Sequence, residues 1–112
     1  MAYDEELARR MRLAVPDALA ITEKRMMGGV CFFLNGNMIG GADQSKEGER
    51  RLMFRVGKAN EAAAKLPGGL PMFLGERPMP GFYFVDADQC DDALLGQWLA
   101  VALDHAGSFP PK

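Results

Sequence analysis

Few side chains in these 112 residues could do chemistry. His105 is the single imidazole, Thr22 the single threonine, and Ser45 and Ser108 the two serines. A hydroxyl nucleophile needs a base within about 3 Å, and neither serine lies in a Gly-x-Ser-x-Gly elbow. Cys31 and Cys90 are the only thiols. Cys90 precedes a helical pattern whose dipole would lower a thiol pKa. His105 lies at the far end of that pattern, and fifteen residues at about 1.5 Å each put it roughly 22 Å away. That separation excludes a Cys90–His105 dyad. Cys31 alternates with aromatic residues and reads as a small buried hydrophobe; His105 reads as a surface residue complementing a helix C-terminus. No catalytic residue emerges, and the chain is expected not to be an enzyme.

Asp86, Asp88, Asp91 and Asp92 crowd together, but an EF-hand loop begun at Asp86 would need Gly at position 91 and Glu at position 97, where Asp and Gln stand. Helix capping accounts for them more simply. Gly28, Gly29, Gly36, Gly40 and Gly41 form neither a dinucleotide fingerprint nor a Walker loop; Gly40 and Gly41 inside a strand suggest a bulge or a close backbone approach. Arg50, Arg51, Arg55 and Lys58 make the basic cluster, with Arg77 a candidate to join it. Arg51, Arg55 and Arg77 are therefore the candidate contacts for an anion or an acidic partner. No cofactor or metal is expected.

The elements that must position these groups follow from periodicity. Asp4–Val15 reads as a helix capped by Asp4, with Leu7 and Met11 at helical spacing and Pro16 ending it. Thr22–Met27 is a charged, edge-like strand. Two apolar runs flank Asn35-Gly36, the strongest short-range hairpin signal, and place strands at about 30–35 and 37–43. Arg51–Val56 alternates as a strand, and Lys58–Leu66 is a short helix ended by Pro67-Gly68-Gly69. Residues 67–81 hold four prolines and four glycines and read as a long irregular connection. Phe82–Val85 is the last strand. Asp91 or Asp92 caps a final helix running to Ala106, followed by a frayed tail, Pro110-Pro111-Lys112. The order α-β-β-β-β-α-β-α implies an α+β, two-layer fold with a mainly antiparallel five-stranded sheet and helices on one face.

Apolar side chains project from both sides of the middle strands. Val30, Phe32 and Leu34 oppose Cys31 and Phe33, and Phe82 and Phe84 oppose Tyr83 and Val85. Helices on one face cannot cover both, and monomers seldom expose apolar patches above about 300–600 Å². Either residues 67–81 fold over the second face or another subunit does. The expectation is a symmetric homodimer through the sheet, with Cys31, Phe33, Met53 and Tyr83 on its face.

Composition sets the outer bounds. Hydrophobic residues make up 48%, so a core is available. A net charge of −2, from 13 basic and 15 acidic residues, gives no electrostatic reason to expect nucleic acid or an anionic membrane as partner. Two lone thiols, an acidic N-terminus and the lack of a run of about 20 apolar residues point to the cytoplasm.

The segment Met26-Met27-Gly28-Gly29-Val30-Cys31-Phe32-Phe33-Leu34-Asn35-Gly36-Asn37-Met38 resembles the signature of the TfoX N-terminal domain family, the TfoX/Sxy competence regulators and their single-domain relatives. Leu52-Met53-Phe54-Arg55-Val56 resembles its next strand. Met79-Pro80-Gly81-Phe82-Tyr83-Phe84-Val85, with the acid-capped helix bearing Trp98, resembles its C-terminal part. Met27 stands where the family usually has Phe, and Asn37 where it usually has Lys. The resemblance implies one domain over residues 1–112, a secretion-chaperone-like two-layer fold, no cofactor and no catalytic residues. It also implies a regulatory protein-interaction role with an unnamed protein partner, without the C-terminal helical domain of competence regulators. The alternative is a small-molecule or anion-binding domain using the arginines on the sheet.

Overall fold

The computed structural model describes residues 4–17, 19–26 and 28–112, so Met27 of the signature segment lies outside the described residues. The chain runs α1 (Glu5–Ala14), β1 (Ile21–Met26), β2 (Gly29–Leu34), β3 (Asn37–Gln44), β4 (Arg50–Arg55), α2 (Glu61–Ala64), β5 (Gly69–Leu74), β6 (Arg77–Asp86), a 3-10 turn (Ala87–Gln89) and α3 (Asp92–Gly107). The strands form one antiparallel sheet in the order β1-β2-β3-β4-β6-β5. The α+β class and the antiparallel pairing are as the sequence implies, with six strands in place of five.

Local chemistry sets the element ends. Asp4 Oδ1 accepts from the Leu7 amide at 3.1 Å and starts α1; Asp91 Oδ1 accepts from Leu94 at 2.8 Å and starts α3. The β2–β3 turn takes positive φ at both Asn35 (51°) and Gly36 (84°), as a type I′ turn requires. Pairing then slips between Phe32 and Phe33, opposite Gly40 and Met38, so Ile39 is the extra residue of a bulge. Gly40 lies in register between Phe32 and Phe54, and a Cβ there would collide with the Met53 carbonyl oxygen. The close backbone approach expected at Gly40 is thus present.

The extra strand comes from residues 67–81, which are not an irregular connection. Gly75-Glu76 joins β5 to β6, with Gly75 at φ 65° in the first central position, the type II′ pattern. The prolines fit because this hairpin is a sheet edge. β5 has a strand on one side only, and β4 pairs with β6 only along Phe82–Asp86, which leaves Pro78 and Pro80 clear of it. At Gly81 (φ 86°) the backbone crosses so close to Gly57 that a Cβ would lie 2.8 Å from the Gly57 carbonyl carbon. β6 bends there, and the ladder to β5 is irregular between Pro71 and Phe73. The first half of β6 and β5 together form a bent arm.

The helices share one face of the sheet. Beneath them lies a continuous core that includes Leu7, Phe32, Ile39, Leu52, Val56, Leu95 and Leu99. Trp98 stacks on Phe54 at 5.5 Å between ring centroids and meets Tyr83 at 5.6 Å, while its Nε1 donates to the Pro67 carbonyl at 3.3 Å. Arg50 ties the layers together: Nε donates to Asp4 at 3.1 Å, Nη1 to Asp88 at 2.9 Å, and Nη2 to Glu6. Arg10 donates to the carbonyls of Ala87 (3.2 Å) and Cys90 (2.7 Å). The tail is not frayed. Buried Asn37 donates from Nδ2 to the Pro110 carbonyl at 3.1 Å, and the Lys112 amide donates to Asn35 at 2.9 Å.

Candidate functional site

Strand alternation sends a second set of side chains to the face away from the helices. Cys31, Met53 and Met72 are buried there, with Met26, Phe33, Met38, Met79, Phe82 and Phe84 packed around them. Register explains the set. Cys31 lies opposite Gly41, Gly41 opposite Met53, and Met53 opposite Phe84, so one row runs across four strands with a glycine as its low point. Over this row the arm leaves a groove of about 180 Å³. Its walls include Met26 of β1 and Phe73 and Leu74 of β5. Those strands are at opposite edges of the sheet, and five steps of about 4.8 Å would hold them roughly 24 Å apart if it were flat. The sheet is therefore not flat: with the chain turning at Gly81 (φ 86°), residues of both edges line one groove. Residues 67–81 therefore cover part of the second face, and part stays open. Leu70, Phe73 and Leu74 on the arm remain 64%, 53% and 63% exposed.

One ion pair sits at the groove. Arg51 donates from Nε to Asp43 Oδ1 at 2.9 Å and from Nη2 to Oδ2 at 2.8 Å, and its Cζ lies 4.3 Å from the Phe84 ring centroid. The bond to Asp43 holds the guanidinium even more firmly protonated than usual. Burial, then the Asp43 charge, push the Cys31 thiol up, away from the thiolate a nucleophile needs. The groove thus offers apolar contact and one fixed charge pair, and no activated nucleophile.

The other candidates are placed elsewhere. Arg55 lies over Phe109 at 5.3 Å, near His105, and Arg77 is exposed at the tip of the arm, opposite Leu74. Arg51, Arg55 and Arg77 thus have different neighbours. Arg50 points to the helix side, so alternation splits the basic run between faces. Cys31, Phe33 and Met53 share the far face. Tyr83 does not: it lies opposite Phe54 and packs on Trp98 under the helices, and Phe82 and Phe84 take the far side. Periodicity shows which residues share a face within a strand, but only the register to β4 shows which face that is.

Cys90 has its thiol pKa raised, because burial outweighs the nearby Arg10 while Asp91 and Asp92 push the same way as burial. The dipole effect expected there does not prevail. His105, in the last turn of α3, is half-buried against Gly57 and Phe109; burial, then the Arg55 charge, lower its pKa against the opposing pull of Asp104. The four acids each serve the fold: Asp86 accepts from the Asp88 amide, Asp88 pairs with Arg50, Asp91 caps α3, and Asp92 pairs with Arg10. Among the described residues no cluster of His, Cys, Asp and Glu could hold a metal ion, and no helix is long and apolar enough to cross a membrane. Sequence reasoning missed Met72, Phe73 and Leu74 as groove walls. The available signal was Leu74-Gly75-Glu76-Arg77, a Gly-first two-residue turn between apolar runs.

A family model described as the TfoX N-terminal domain matches residues 14–106. No curated protein and no solved structure matches the chain.

Proposed function

The chain belongs to the TfoX N-terminal domain family, and from that premise we propose a regulatory module that works by contact with protein and not by catalysis. One observation carries this reading: the arm holds Leu70, Phe73 and Leu74 out to solvent beside a far face that is only partly closed. Contiguous exposed apolar side chains mark interaction surfaces. The first partner is a second copy of the chain. A two-fold contact uses the same patch twice, and the face suits it, since the charge pair at the groove, Asp43 and Arg51, sums to zero. The same reading places the module in the cytoplasm, with reduced cysteines, and away from membranes and nucleic acid.

Light scattering after gel filtration at micromolar concentration tests the homodimer. The expected mass is twice the 12.2 kDa of one chain. Phe73→Ser with Leu74→Ser should return a monomer while shifting its unfolding free energy by only about 1 kcal/mol, since exposed positions contribute little to the fold. Wild-type protein that stays at 12.2 kDa at every concentration sinks the homodimer. A second reading, a domain that binds a small molecule or anion, draws its support from Arg51 at the groove.

A further inference from the structure

The groove has a feature that a docking face alone does not require. Arg51 spends Nε and Nη2 on Asp43 and lays its plane near Phe84, while Nη1 donates to none of the described residues. A guanidinium held on two sides is pre-organised, and its remaining N–H groups are aimed without further entropy cost. Of the two charges, Arg51 is also the more accessible, at 25% side-chain exposure against 12% for Asp43. The rest of the groove is apolar: Met26, Met53, Met72, Phe73, Leu74 and Phe84. Small-molecule sites have this composition, an apolar lining with a few fixed polar groups.

We propose that the groove binds a small monocarboxylate with a short apolar body, its carboxylate on the Nη1 edge of Arg51 and its body between Met53, Met72 and Leu74. The size follows from the volume. About 180 Å³ is close to the roughly 150 Å³ cavity that accepts benzene, so the body is a short aliphatic chain or a single ring. The sign of the head follows from access: a carboxylate on Nη1 sits closer to the guanidinium than to Asp43, whose two oxygens face the other donors. Three methionine walls suit a ligand of variable shape, because thioether side chains adapt without strain. The whole lining comes from one chain, so the site is complete in a single copy and goes beyond the protein-contact reading, although Phe73 and Leu74 serve both.

The test is methionine-methyl NMR of the full chain titrated with hexanoate, with acetate, hexylamine and 1-hexanol as controls. Hexanoate should move the methyl signals of Met26, Met53 and Met72 and leave Met11, which lies under the helices. It should bind at least about tenfold more tightly than 1-hexanol, the worth of a charge-assisted hydrogen bond. Arg51→Gln should reduce hexanoate to the affinity of 1-hexanol and leave 1-hexanol unchanged. If that variant does not fold because Asp43 loses its partner, the double variant Asp43→Asn with Arg51→Gln gives the same comparison. Hexylamine binding as tightly as hexanoate, Met11 shifting with the groove signals, or no methyl moving at about 10 mM would each overturn the site. Oligomeric mass is scored separately, so loss of the dimer and loss of the ligand site are distinct results.

Discussion

On one side of the sheet, Phe54 is sealed by Trp98 and Leu95 of α3 within a core shared by three helices. On the other, Cys31, Met53 and Met72 lie beneath a single bent arm with a groove beside them. The residue types differ as the coverings do. The helix side is filled by Leu, Val, Ile and stacked rings, side chains with defined rotamers that pack to high density. The far side gathers Met26, Met38, Met53, Met72 and Met79, which fill irregular space and repack readily. One face therefore holds the fold together, and the other is available for contact, although both belong to the same strands.

The sharpest way to break this contrast is to cut one large side chain from each face. Trp98→Ala removes a fully buried ring, its stacking on Phe54 and its bond to Pro67. The expected loss is about 3–5 kcal/mol in urea-induced unfolding. Met53→Ala should cost about 2 kcal/mol, the low end for such a change, because flexible neighbours and water can occupy the space. Equal losses would mean that the far face is as much a closed core as the helix side.

The arm's crossing point gives the next largest effect. Gly81→Ala forces a side chain into positive φ and against the backbone of Gly57 and Lys58. Left-handed strain of about 1–2 kcal/mol and overpacking of about 1–3 kcal/mol add to roughly 2–5 kcal/mol. Gly75→Ala at the arm's tip has positive φ but open space around it, so strain alone applies, about 1 kcal/mol. If Gly75→Ala is the worse of the two by thermal unfolding, the bend at Gly81 is not what holds the arm over the sheet.

Much of the helix side was legible in the sequence because its signals are local. Asp4 and Asp91 announce their helices, Asn35-Gly36 announces its hairpin, and Leu95, Trp98, Leu99, Ala102 and Ala106 recur at helical spacing. The far side was not legible in the same way, because it is made by register and bending. Four prolines make residues 67–81 look irregular, yet each finds a place where its missing N–H is tolerated on the arm or next to it. Tyr83 and Phe84 alternate plainly, but nothing local says which of them faces Trp98. The ion pair Asp43–Arg51 depends on the bulge at Ile39, which shifts the alternation of β3 by one and turns Asp43 to the far face.

A pH ramp acts on the helix side alone and gives the smallest effect. His105 is the chain's one imidazole, and it sits at the end of α3 between Gly57 and Phe109, with Arg55 and Asp104 as the charges acting on it. Its folded pKa is lowered, so between about pH 5.5 and 7.5 the folded state binds fewer protons than the unfolded chain, whose imidazole titrates near 6.5. The stability tied to neutral His105 is complete above about pH 6.5 and is lost as the pH falls through the lowered folded value. Arg51 keeps its charge throughout this window. Wild-type protein should therefore melt at a lower temperature at about pH 5.5 than at 7.5, by a few degrees at most, while His105→Gln should show a flatter profile. A variant that retains the full slope would place the titrating group elsewhere, and far-face methionine signals moving with that slope would show that the two faces are coupled after all.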